Sequence, residues 1–372
     1  MNVVWLICFV AMLNLGACGQ AASDQNEPDL EHESLLVGTE EEVNEEDEKE
    51  VTITLGAIGD ILLHERVYEL AETENGYDFL PMLSGVEPLL KAPDFLMANQ
   101  ESMPGGVEIG LSTYPSFNSP QEIVSNLQSL GVQMVIGANN HTLDRGVKAI
   151  ERALTFYDDI GMDYVGVYRD AEDRDRDRMV EIEDVKIGVL AYTYGTNGIP
   201  IPDGHQDVVA LIDPERIEED VKRLRSQVDV MVVHMHWGAE YEREPNEQQR
   251  KLAQQLSKAG VDIIFGHHPH VLQPIDVIHQ DSGHETTVFY SLGNFLSGQT
   301  YDYTDIGGVA TIQVTKTANG ELHIHSPNIE PTLVIREENG YVVYPFEEAD
   351  RTAISGSTFA EVREHTLRYL TP

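Results

Sequence analysis

The chain has 372 residues, 41% of them hydrophobic, enough to bury a large core as one big domain or two smaller ones. Its 24 lysines and arginines face 64 aspartates and glutamates, for a formal net charge of -40 at pH 7. That field excludes nucleic acid and anionic membrane surfaces as partners, because both are polyanions, and it suits divalent cations or a saline or alkaline habitat.

The first residues, "MNVVWLICFVAMLNLGACGQ", form an apolar run too short to span a bilayer comfortably and followed by small residues, the pattern of a secretory signal. Within it, Leu15-Gly16-Ala17-Cys18 resembles the bacterial lipobox, in which cleavage precedes a lipidated cysteine. On that resemblance 1–17 is a lipoprotein signal peptide and Cys18 the lipidation site. No Lys or Arg precedes the apolar run, so an uncleaved N-terminal anchor is the alternative. Either way the body is expected on the extracytoplasmic face of a bacterial cell membrane. Cys8 and Cys18 are the two cysteines, so the folded part holds no disulfide and no thiolate ligand. The remainder of 18–50, with "SDQNEPDLEHE" and "EEEVNEEDEKE", is too acidic and too poor in apolar groups to pack. It reads as a disordered tether extended by its own charge.

From Val51 the pattern changes. "VTITLGAIGD" reads as a strand, "HERVYELAETE" as a helix and "PDFLMANQE" as a second strand. "SPQEIVSNLQSLG" opens with Ser119-Pro120 and closes on Gly131, the marks of a helix. Strand "VQMVIGANNH", helix "GVKAIERALTFYDDIG" and strand "DYVGV" follow, and "RDAEDRDRDR" reads as a self-neutralising solvated loop. Strand "VKIGVLAYTYG", helix "PERIEEDVKRLRSQ", strand "DVMVVHMHWG", helix "NEQQRKLAQQLSKAG" and strands "VDIIFGHHPH" and "TTVFYSLGNF" complete the run. Alternating, near-continuously apolar strands predict an α/β fold with parallel strands covered on both faces. After Gly308 the pattern turns antiparallel, with hairpin turns at Asn319-Gly320 and Asn339-Gly340.

Polar side chains gather where the strands end: Asp60, Asn99 and Glu101, Asn139 to His141, His234 and His236, then His267, His268 and His270 in "GHHPHVLQP". Ligands bind at the carboxyl ends of strands in open α/β sheets, so these groups can converge. Carboxylates, an amide and imidazoles without sulfur suit Mn, Fe, Zn or Mg. A carboxylate bridging two such ions about 3.5–4 Å apart would let them activate a shared hydroxide. Each residue has a blander reading. Asp60 suits a helix cap, Asn139-Asn140 a turn, His234 or His236 a hydrogen-bonded core histidine, Glu240 and Tyr241 a loop rim, and Trp237 packing. Their recurrence at five strand ends favours the metal.

In order, "GDILLH", "NQE", "ANNHTLDRG", "HWGAEY", "GHHPHVLQP" and "YSLGNF" resemble the bacterial capsule-synthesis CapA family, linked to poly-γ-glutamate, over about 51–295. That family is similar to the calcineurin-type metallophosphoesterases. The resemblance implies a two-sheet α/β/β/α sandwich of the metallo-dependent phosphatase type, with 51–300 as the main domain and 301–372 completing the same sandwich. It implies two divalent metal ions held by Asp60, Glu101 as the bridge, Asn140, His236, His268 and His270. His141 becomes the general acid or oxyanion stabiliser and Asp144 its orienter, while His64, Glu240 and Asn294 face substrate. His267 is left over. The phosphoesterase pattern Asp-x-His is absent, since His64 stands four residues after Asp60, and Thr142 follows His141 where those enzymes carry an acid.

The function implied is that of an extracytoplasmic metal-dependent hydrolase or transferase of capsule or cell-wall polymer synthesis. Its metal-bound hydroxide would attack a phosphoryl or acyl centre of an anionic polymer or phosphate-containing substrate. The alternative is a non-catalytic lipoprotein scaffold of a membrane polymer-synthase or export complex.

Overall fold

The computed structural model describes residues 49–338, 340–349 and 352–370. The expected signal peptide, Cys18, nearly all of the expected tether and Asn339 of the second hairpin turn lie outside them.

Four parallel strands begin the first sheet: β1 (Val51–Leu62), β2 (Phe95–Gln100), β3 (Val132–Ile136) and β4 (Asp163–Val165). The chain then builds the second sheet from β5 (Met179–Ile182), β6 (Val185–Thr193), β7 (Val230–His236), β8 (Ile263–His267), β9 (Ile275–His279) and β10 (Glu285–Phe289), in the order β9-β10-β8-β7-β6-β5. It returns to the first sheet with β11 (Asn294–Ser297), which pairs parallel with β1. The antiparallel run β12 (Ile306–Lys316), β13 (Leu322–Glu337) and β14 (Gly340–Pro345) then extends that sheet on the same side of β1 as β11, away from β2.

Helices α1 (Glu122–Ser129) and α2 (Gly146–Ile160) cover the outer face of the first sheet, and α3 (Pro214–Arg225) and α4 (Glu247–Ala259) that of the second. Between the sheets lies a third apolar layer, in which Leu55, Phe95 and Met134 meet Val189, Val232 and Phe265; Val362 of α5 (Phe359–Leu367) joins it. The result is a two-sheet α/β/β/α sandwich, the architecture expected from the sequence. Among the described residues no helix is long and apolar enough to cross a membrane.

Local chemistry explains the helix ends. Asp213 accepts from the backbone N–H groups of Glu215 and Arg216 to start α3, and an Asn246–Gln249 capping box starts α4. Gly161 and Gly260 end α2 and α4 in the left-handed conformation.

Three expectations need correction. "HERVYELAETE" is helical only over Glu65–Tyr68 and a following 3-10 turn. Glu72–Thr73 then pairs with Gly76–Tyr77 around a Glu74-Asn75 turn. "TTVFYSLGNF" is two strands: β10 lies in the second sheet and β11 in the first, broken at Gly293, whose φ is +62°. "RDAEDRDRDR" carries a short helix, Ala171–Asp175, capped by Asp170 and holding Asp173 buried.

Candidate metal centre

Period-two alternation aims the ligands. On β7, Val230 and Val232 face the intersheet layer, so His234 and His236 face it too; on β8, Ile263 and Phe265 carry His267 to the same side. On β2, Phe95 and Met97 face inward, so Asn99 and Glu101 follow. Asp60 reaches that face through an irregularity. Ala57 points inward, yet Ile61 packs outward, because the register slips between Ile58 and Asp60. Gly59 sits in the slip, and a Cβ there would meet Gly293 O at 2.1 Å. The bulge thus turns Asp60 toward the second sheet.

His268 and His270 follow β8 with φ of +96° and +59°. Such angles are strained for any residue with a side chain, and they persist where surrounding structure holds them.

The strand ends converge. Asp60 Oδ1 accepts from Asn99 Nδ2 at 2.7 Å and Oδ2 pairs with His270 Nδ1 at 3.0 Å. His236 Nε2 meets Asn140 Oδ1 at 2.7 Å. Asp60, Glu101 and His270 place ligand atoms within 4.8 Å of one another, as do Glu101, His236 and His268, so Glu101 belongs to both sets. Asn140 adds its oxygen to the second set through His236. Glu240, expected to face substrate, also comes within that reach of His268 and His270.

Both carboxylate oxygens of Glu101 are fully buried and accept no hydrogen bond; His236 Nε2 and His270 Nδ1 stand 3.5 and 3.8 Å away. Burial, then the neighbouring Asp60 charge, pushes its pKa well above the ordinary carboxylate value. Burial also works on Asp60, but His267 and His270 outweigh it and hold its pKa far below the usual range. Burial lowers His270 less than Glu101 and Asp60 raise it, to about 9. Burial, then His270, drops His268 to about 3, and burial, then His268, drops His236 well below its ordinary value. Neutral imidazoles beside an unpartnered buried carboxylate fit a divalent cation, because its charge would offset the desolvation that burial imposes.

His141 Nδ1 bonds Asp144 Oδ2 at 2.7 Å, and the same oxygen accepts from Phe117 N, which fixes the imidazole. His64 bonds Leu62 O through Nδ1 at 3.1 Å and lies outside the ligand sets; burial lowers its pKa to about 4. His64, His141, Glu240 and His270 line a cleft of about 270 Å³. Asn294 does not line it: buried, it donates to Gln299 Oε1 and Thr304 O, and Gln299 lines the cleft instead. His234 packs in the core, 3.0 Å from His267 Nε2 and 3.2 Å from Met97 Sδ.

Sequence reasoning missed the segment after β6. Tyr194 lies 4.6 Å from the His268 ring, and Asn197 Oδ1 accepts from Asn140 Nδ2 at 3.2 Å. Only the Gly-Asn pattern of "YGTNG" after a strand signalled a turn there. Exposed Tyr114, Tyr241 and Tyr301 rim the cleft.

The two-sheet sandwich thus carries carboxylates, an amide and imidazoles on its strand ends, a donor set that fits candidate divalent-metal sites. Residues 54–299 match the family model of the bacterial capsule synthesis protein PGA_cap, and the chain belongs to that family. It is 30% identical over 276 residues to the PGA biosynthesis protein CapA of Bacillus subtilis (strain 168), covering 72% of this chain and 69% of that one. To the capsule biosynthesis protein CapA of Bacillus anthracis it is 27% identical over 287 residues, or 75% and 68% of the two chains. Among solved structures, the NAD nucleotidase NadN of Haemophilus influenzae aligns at a TM-score of 0.47 and 12% identity, covering 79% of this chain and 54% of that one. This chain therefore spans about half the length of that structure.

Proposed function

We propose that this chain is a metal-dependent hydrolase or transferase of capsule or cell-wall polymer assembly, held outside the cytoplasm by a lipid on Cys18. The observation that carries the reading is Glu101, a wholly buried carboxylate without a hydrogen bond, shared by two ligand sets. Asp60 and His270 complete the first set, and Asn140, His236 and His268 the second. Two divalent ions there would supply Lewis-acid activation of water and clamp the oxygens of a phosphoryl or acyl centre.

The chain's own residues do the rest. Asp144 engages His141 Nδ1, which leaves Nε2 to give a proton to the oxygen that takes up charge. His64 and Glu240 meet substrate in the cleft, and Asn294 acts by holding Gln299. The substrate is an anionic polymer or a phosphate-bearing precursor, and the working partner a membrane polymer-synthase complex.

Elemental analysis of the full-length chain, purified without chelator, tests the reading. Two ions per chain, lost together in Glu101→Ala, are expected. If none binds after reconstitution with manganese, zinc or iron, the chain is a scaffold of that complex. Radiolabelled palmitate incorporated by wild type and not by Cys18→Ala checks the anchor.

A further inference from the structure

We infer that Arg66 reads the charge of the substrate, holding an anionic oxygen group (carboxylate or phosphate) in the cleft that His141 and His270 also line. The inference rests on the proposed function and names its substrate class.

With 64 acidic residues against 24 basic ones, the protein as a whole repels anions, so an anionic substrate needs a local exception. Arg66 is the one lysine or arginine lining the cleft. It stands between Glu65 and Glu69 in sequence, and Glu69 is one helical turn on, where an intrahelical ion pair is ordinary. Among the described residues it nonetheless makes no such pair. Arg152, Arg169, Arg178 and Arg225 all engage carboxylates.

The Arg66 side chain instead lies over Gly298. A Cβ built on Gly298 would stand 3.1 Å from both Cγ and Nε of Arg66 and 3.0 Å from Cβ of His64. Gly298 has no positive φ, so its backbone does not require glycine. The missing side chain makes room for Arg66 and His64 at the cleft wall. A guanidinium left without a carboxylate partner presents paired N–H donors that match the geometry of carboxylate or phosphate oxygens.

The test titrates a glutamate hexamer and inorganic phosphate into the full-length chain by calorimetry, with and without manganese. Wild type, Arg66→Ala, Arg66→Lys and Gly298→Val are compared. Arg66→Ala weakens anion binding about tenfold or more while bound manganese is unchanged. Arg66→Lys recovers part of the loss, since charge remains without the planar fork. Gly298→Val, which keeps Arg66 but crowds it, weakens binding as well. Loss confined to the hexamer identifies a carboxylate, and loss confined to phosphate a phosphate group. Unchanged affinity for both anions in Arg66→Ala overturns the inference, as does wild type that binds neither. If manganese fails to bind, the metal reading falls, and the manganese-free titrations still decide the role of Arg66.

Discussion

Glu101 and Asp173 are both hidden carboxylates, 0% and 6% exposed, and they are treated in opposite ways. Asp173 accepts from Arg178 Nη2 at 2.7 Å, from the Tyr164 hydroxyl at 3.0 Å and from the Arg169 backbone N–H at 3.0 Å, and it pairs with Arg176. Burial opposes its ionisation, but these donors overcome that and lower its pKa. Glu101 has no donor, and its pKa rises. A buried charge whose partners come from its own chain belongs to the scaffold. One without them is suited to a cation from outside.

The largest effect expected from breaking this contrast is at Glu101. Glu101→Ala removes the residue common to both ligand sets, so bound metal, counted by elemental analysis, and hydrolysis of a phosphate-ester test substrate both fall to background. His141→Ala leaves metal content intact and cuts turnover about 10²–10⁴-fold, the range of a lost general acid. Equal turnover in that variant removes His141 from the chemistry. At the partnered carboxylate the effect is on folding alone: Asp173→Ala takes the carboxylate from part-buried Arg178 and from Arg176 and costs about 3 kcal/mol in urea denaturation, with metal content unchanged.

The smallest effect is in pH dependence. In chelated protein, folded Glu101 keeps its proton above pH 4.5, where the unfolded chain releases it. Its contribution to stability is therefore present below that pH and fades as pH rises. Asp173 has the reverse sign: its contribution is present above pH 3.8 and is lost as pH falls. Urea midpoints of chelated wild type should decline as pH rises above 4.5 relative to Glu101→Gln. Parallel curves would erase the distinction between the two carboxylates.

Local signals were legible where the cause is local. Asp213-Pro214 and the Asn246–Gln249 box start helices because side chains a few residues away satisfy the first N–H groups. Apolar runs ending in Asp60, Glu101, Asn140, His236 and His268 marked strand ends, which in parallel sheets lie at one edge. The same local view misled at "TTVFYSLGNF", where an unbroken β-rich run hides a passage between sheets at Gly293, and at "HERVYELAETE", where a hairpin interrupts a helical pattern.

By itself the sequence determined which residue types stand at the strand ends, because alternation and capping involve near neighbours. Only the tertiary structure decided which of them meet. The slip at Gly59 turns Asp60 inward, and the return of β11 to β1 sets Asn294 beneath the cleft. Packing of the two sheets brings His236 and His268 to Glu101 and leaves that carboxylate without a donor. Those outcomes depend on contacts between residues more than a hundred positions apart, which no window of sequence contains.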